Sequence, residues 1–240
     1  LLVSILQGHF IGSFLLLNTD SDDIPFAIRS LQGVDISNTR LRPDVMILDG
    51  QQRLTSLNYV FAAPDIPLRW TKYPYRFFLD LKKVTSGDWE NAIRSERTID
   101  CNGMLDRQQQ FDTLVVPLTE IEQWDKWLNA YEQWLVKKDK DFYFDQYFPV
   151  DKPAWTALID RVKTFLVPTI TIPKIKPNDP EGLGEVCAIF ENINSTGVKL
   201  SVYDLLTARL YKYNIDLHHL WEKAIDEHSV LNEYSERSSD

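Results

Sequence analysis

The stretch Asp44-Val45-Met46-Ile47-Leu48-Asp49-Gly50-Gln51-Gln52-Arg53-Leu54-Thr55-Ser56-Leu57 changes its period in the middle. Asp44 to Leu48 is a short apolar run, which fits a strand. From Gln51 the apolar positions Leu54, Leu57 and Phe61 step by three and four, which fits a helix, and Pro64 stops it. The sequence therefore predicts strand, turn and helix, with Asp49-Gly50 at the turn. Working outward, Leu1 to Gly8 reads as the end of a helix, while Ser13 to Leu17, Phe26 to Arg29 and Arg76 to Leu81 read as strands. Residues 1–81 thus predict a small mixed α/β unit whose core is three or four strands.

Residues 82–113 are polar and irregular, most hydrophilic at Asp106 to Gln110, and predict a long connection holding a short helix at most. Residues 114–240 predict a mainly helical region. Trp124, Trp127, Leu128, Tyr131 and Leu135 recur at helical spacing as an apolar stripe. A second helix is predicted from about Pro153 towards Phe165, and further ones over Glu185 to Ile193 and Ser201 to Tyr213. Leu166 to Ile172 alternates like a strand, and Pro168 favours an edge position for it, so one strand returns to the first sheet. The fold class expected is α+β.

A chain of 240 residues with 44% hydrophobic content can bury one sizeable core or two modest ones, so a globular protein is expected. Its 35 acidic and 26 basic side chains leave a net charge of -9, which repels a phosphate backbone and argues against non-specific DNA binding by the chain as a whole. A local basic patch, for example Arg29, Arg40 and Arg42, is compatible with that balance. Cys101 and Cys187 have no second thiol or histidine at metal-ligand spacing, which points to a reducing compartment and two small buried hydrophobes. No apolar run approaches the roughly 18 residues of a membrane span. A soluble, cytoplasmic protein is expected. The chain opens without methionine inside a helical pattern and closes on a polar run, as a fragment of a longer protein would.

Chemically, the turn admits two readings. Gly50 lets backbone N–H groups approach a ligand, and the following helix turns its positive end to the same place, which makes an anion site. Arg53 could fork onto a phosphate, Asp49 could hold magnesium or orient a water, and Gln51 or Gln52 could position a nucleophile or bond a base. On the other reading Asp49 caps the helix and Gln51, Gln52 and Arg53 are solvated first-turn residues, the commoner arrangement.

A second polar cluster runs from Phe190 to Ser201. Asn194 to Gly197 suits a helix C-cap, and Ser201 with Asp204 suits a capping box. Asn192 and Asn194 could equally bond a base or ribose, or tie down the loop. His218-His219 fits a helix surface or core pair better than a metal site, because adjacent helical residues point in different directions.

Three ordered segments carry a family resemblance: HFIGSFLLL at His9 to Leu17, ILDGQQRLTSL at Ile47 to Leu57 and FENINSTGVKLSVYDLLTARL at Phe190 to Leu210. Together they resemble the N-terminal domain of GmrSD-type restriction endonucleases, over most of the chain and most weakly over 82–180. The resemblance implies a ParB/sulfiredoxin-like α/β unit followed by a helical region. It also implies nucleotide binding and hydrolysis at the DGQQR motif, within phage-defence systems that restrict modified DNA. Carried over by position, the catalytic candidates are Asp49, Gln51, Gln52 and Arg53, and the nucleotide-holding candidates are Gly50, Arg53, Asn194 and Gly197. A nucleoside triphosphate of unspecified base with Mg2+ is the implied ligand, with Asp49 on the metal. In such systems a C-terminal or separate nuclease domain cuts, and modified DNA is a partner of the full-length protein.

Two departures qualify this. The family's upstream Tyr-Gln-Arg segment and its histidine-centred nuclease motif are not found, and His9, His218, His219 and His228 do not form the latter. No DNA cleavage is expected of this chain. The two functions expected are an NTP-hydrolysing regulatory domain, or a sensor that binds nucleotide or modified DNA without turnover and signals to a nuclease.

Overall fold

Among the described residues of the computed structural model, six strands form two three-stranded sheets, and helices make up most of the remaining regular structure. It describes residues 1–19, 26, 28–34, 43–68, 70–101, 103–175, 181, 182, 184–186, 188, 189, 207, 210, 213 and 215–227. The chain separates into two compact units that interleave in the sequence. The first holds Leu1–Phe14, Leu31–Asp35 and Gly50–Thr169, and the second holds Leu15–Ser30, Ile36–Asp49 and Ile170–Asp240.

The first unit contains helix α1 (Leu2–Gln7), α2 (Gln51–Ala62), strand β3 (Tyr75–Asp80), α3 (Leu81–Ser86), β4 (Ile93–Arg97), α4 (Arg107–Thr113), β5 (Val115–Pro117), α5 (Trp124–Lys138), α6 (Lys140–Phe142) and α7 (Lys152–Lys163). Its sheet runs β4-β3-β5, antiparallel throughout, with Phe77 opposite Ser95 and Leu79 opposite Val116. Asp80 ends β3 and starts α3, accepting from the main-chain N–H groups of Lys82 and Lys83 and pairing with Arg94. Asp106 caps α4 in the same way through Gln109.

The core of this unit is aromatic. Trp124, Trp127 and Tyr131 follow one face of α5 and stack in sequence, with ring centroids 5.1 and 5.4 Å apart, and Phe111 of α4 meets Trp127 edge-on at 5.5 Å. All five α5 positions expected to face a core are buried. From Tyr143 to Asp151 the helix widens into π-type turns around Pro149 before α7 resumes.

The second unit carries β1 (Phe14–Asn18), β2 (Val45–Asp49) and β6 (Thr169–Ile172) in the order β2-β1-β6, with helix α8 (Leu217–Glu227) further along the chain. Leu15, Leu17, Phe26, Ile172, Ile175 and Val186 make its apolar cluster. The returning strand expected from Leu166 to Ile172 is β6, at the sheet edge.

Three expectations need correction. Residues 26, 28 and 29 carry no strand. β3 does not join β1 and β2 but is the central strand of the other sheet, because its two edges are taken by β4 and β5. Residues 82–113 hold most of α3, all of β4 and all of α4, where the sequence predicted a connection with a short helix at most. The helices expected at Glu185–Ile193 and Ser201–Tyr213 lie largely outside the described residues.

Candidate functional site

Strand β2 delivers the chain to Asp49, which is half-buried and sits opposite Leu15 of β1. The pairing slips between Leu15 and Leu16, so one extra residue of β2 bulges out just before the turn, a common way of re-aiming a strand end. The next residue, Gly50, has φ 94° and ψ 4° and is the N-cap of α2. That left-handed conformation suits glycine and few other residues.

The N-cap residue of α2 makes no side-chain hydrogen bond. The N-cap position is not that of Asp49, where the simpler of the two readings of the turn put it. Gly50 occupies that position instead, and it has no side chain with which to accept from the first-turn N–H groups. Gln51 and Gln52, in that first turn, are exposed.

Arg53 is held from below by the loop that follows α1. Its Nη1 donates to the carbonyl of Ile11 at 3.0 Å, and its guanidinium carbon lies 5.5 Å from the centroid of the Phe14 ring. Two glycines make this packing fit. A Cβ on Gly12, at φ 91°, would lie 2.1 Å from Arg53 Nη1, and a Cβ on Gly50 would lie 2.2 Å from Phe14 Cδ1. The start of α2 is thus a cationic end built from Gly12, Phe14, Gly50 and Arg53.

Of these, Ile11, Gly12 and Phe14 escaped the sequence reading as site residues. The signal available was Gly12 immediately before the Phe14 strand, a glycine needing a special backbone or a close approach. Asn194 and Gly197, expected to hold nucleotide, lie outside the described residues, as do Asn192, Ser201, Asp204, Arg40, Arg42 and Cys187. Among the described residues no group of three or more His, Cys, Asp and Glu side chains could hold a metal ion, and no helix is long and apolar enough to cross a membrane. His219 is exposed on α8, where its N–H donates to Asp216 Oδ1 at 3.0 Å.

The arrangement offers an anion two things at once: the start of a helix whose N-cap is a glycine, and a guanidinium held by Ile11 and Phe14. Asp49 is the acidic residue that directly precedes them in the chain. If a Mg2+ ion bound at this turn, Asp49 would be the carboxylate to hold it.

The profile of the family described as "GmrSD restriction endonuclease, N-terminal domain" matches residues 1–211. Uncharacterized protein MJ0686 of Methanocaldococcus jannaschii is 32% identical over 247 residues, covering 98% of this chain and 40% of that protein. The chain therefore spans well under half the length of that relative. With the profile running through β1, the strand-turn-helix and on to residue 211, the chain belongs to the family of GmrSD restriction endonuclease N-terminal domains.

Proposed function

We propose that this chain is the nucleotide-binding, NTP-hydrolysing regulatory domain of a phage-defence restriction system that acts on modified DNA, with cleavage done by a separate nuclease domain. The observation that carries the nucleotide reading is Gly50 at φ 94° as an N-cap without a side chain, beside the held guanidinium of Arg53. In this reading the N–H groups of the first turn of α2 take the phosphates and Arg53 offsets charge that grows as the terminal phosphate leaves. Asp49 holds Mg2+, and Gln51 or Gln52 orients the attacking water. Asn194 and Gly197 serve the sugar or base.

A second reading has one observation in its favour. Arg53 Nη1 is spent on Ile11 and the ring of Phe14 supports the guanidinium, so the arginine is built into the fold as well as turned to a ligand. That suits a sensor whose occupancy is passed to the loop at Ile11 without turnover.

The test is a titration of the protein with ATP, GTP and CTP in the presence of Mg2+, following binding and phosphate release separately, with Asp49→Asn and Gln52→Ala alongside. Release that disappears in Asp49→Asn while the fold is kept supports hydrolysis. Binding without release selects the sensor, and absence of binding to all three nucleotides removes both readings.

A further inference from the structure

A second feature of the first unit lies between α2 and β3. The connection from Ala63 to Pro74 carries Arg69, Lys72, Trp70 and Tyr73 with one carboxylate, Asp65, in a protein whose net charge is -9. Trp70 is 89% exposed and adopts φ 69°. Both facts are uncommon for a tryptophan: burial would stabilise it, and a Cβ residue disfavours positive φ.

The turn that presents it is firmly tied. The Thr71 N–H donates to Leu68 O at 2.9 Å, and the Thr71 hydroxyl reaches Leu68 O at 2.8 Å and Tyr73 O at 3.1 Å. Thr98 anchors the far side by donating to Pro74 O from its N–H at 2.8 Å and its hydroxyl at 2.7 Å. A strained conformation held this way by its surroundings is the pattern found where a side chain is displayed for use.

Beside Trp70 the ring of Tyr73, 40% exposed, lies under Arg97, whose guanidinium carbon is 5.8 Å from the ring centroid. Arg97 also pairs with Asp100, and Arg76 approaches Asp65 at 4.0 Å, so these two arginines stiffen the surface more than they charge it. Lys72 is exposed. An aromatic face with the exposed Lys72 in its turn and the Arg97–Asp100 pair at Tyr73 fits a π-stacked base with a phosphate alongside.

We propose that the Trp70, Lys72 and Tyr73 surface binds a short single-stranded stretch of nucleic acid, one base stacking on Trp70 and its phosphates meeting Lys72 and the edge of the Arg97 group. It is separate from the proposed nucleotide site and does not rest on it. The acidic remainder of the chain limits the contact to a few nucleotides, so the salt dependence is shallow, with log K falling against log salt at a slope of about -1 to -2. Paired bases cannot stack on the indole, and duplex binds more weakly than single strand.

The experiment is fluorescence anisotropy of a labelled oligothymidine of about 20 nucleotides, single-stranded or annealed, with the whole chain and its variants. Trp70→Gly relieves the positive φ, so it keeps the fold and separates display from stability. Single-strand affinity should fall about tenfold or more in Trp70→Gly and stay within a few-fold in Trp70→Phe. Wild-type protein that ignores the single strand, or equal affinity in Trp70→Gly, overturns the proposal. So does a Trp70→Gly variant that loses self-association in sedimentation while its oligonucleotide binding is unchanged, since the surface is then a protein interface.

Discussion

Arg53 Nη1 lies 3.0 Å from the carbonyl oxygen of Ile11, and the backbone that brings this carbonyl within reach is bare at Gly12, where a Cβ would come within 2.1 Å of the same nitrogen. The arginine of the motif is thus fixed by a loop some forty positions earlier in the chain. Its charge is placed at the start of α2 by packing against main chain and an aromatic ring, without depending on a ligand.

Alanine at either glycine should test that dependence. Gly12→Ala and Gly50→Ala each force a left-handed φ on a residue with a Cβ and drive that Cβ into Arg53 or Phe14. Each should lose about 2–4 kcal/mol in denaturant unfolding, the range of strain and overpacking together. Gly87→Ala is the control. It shares a positive φ of 76° but meets nothing within 4 Å, so it should lose only the conformational part, about 1–2 kcal/mol.

Replacing Arg53 by lysine keeps the charge and removes the planar fork. The ammonium cannot hold the Ile11 carbonyl, lie flat on Phe14 and grip a phosphate at once. Nucleotide affinity in Arg53→Lys should drop about tenfold or more, with melting slightly lowered, whereas Gln52→Ala should leave melting unchanged. Equal nucleotide affinity in Arg53→Lys and wild type would mean that the arginine is purely structural.

The strand-turn-helix at Val45 to Ala62, the α5 stripe and the edge strand β6 were legible because each depends on local periodicity or on a proline. The allocation of strands to sheets was not. β1 and β3 have similar apolar character, and only the long return of β6 and the pairing of β3 with β4 and β5 decide their partners. β4 was hidden because Arg94, Ser95, Glu96 and Arg97 give a mostly polar strand, supported on one side by β3 alone. At the candidate site, the strand end and helix start that carry Asp49 to Arg53 could be read directly. Its second half, Ile11 to Phe14, could not, because a carbonyl acceptor and a glycine next to a guanidinium have no local sequence signature.

A buried amide organises α4 and α5. Gln110, 2% exposed, accepts from Trp127 Nε1 at 2.9 Å and from Arg107 at 3.3 Å, and donates to the carbonyls of Met104 and Leu105 at 3.3 and 3.2 Å. Gln110→Leu keeps most of the volume and strands all of these partners, the indole N–H included. Stability should fall by about 2–4 kcal/mol, and tryptophan fluorescence should report the change at Trp127. Gln110→Glu can still accept from Trp127 and gains the charge of Arg107, so it should recover part of that loss.

Asp151 is 6% exposed and sits where the wide π-type turns pass into α7. Burial pushes its carboxyl above the ordinary value of 3.8, and the bond from Gln146 Nε2 at 3.1 Å opposes this only in part. The buried Tyr131 hydroxyl senses its charge, and the nearby Lys152 ammonium is committed to Glu132. A carboxyl with a raised folded-state pKa binds its proton more tightly folded than unfolded, so it stabilises the fold as pH drops from that raised value towards 3.8 and weighs against the fold above it. Asp151→Asn keeps an oxygen for Gln146 and removes the buried charge. At pH 7 the variant should therefore unfold at higher denaturant than wild type, and its advantage should shrink as pH falls through the raised pKa and level off below 3.8. Denaturant midpoints at several pH values check this. A difference that stays constant from pH 7 to pH 4, or a variant less stable at pH 7, would show that Asp151 is charged at no cost to the fold.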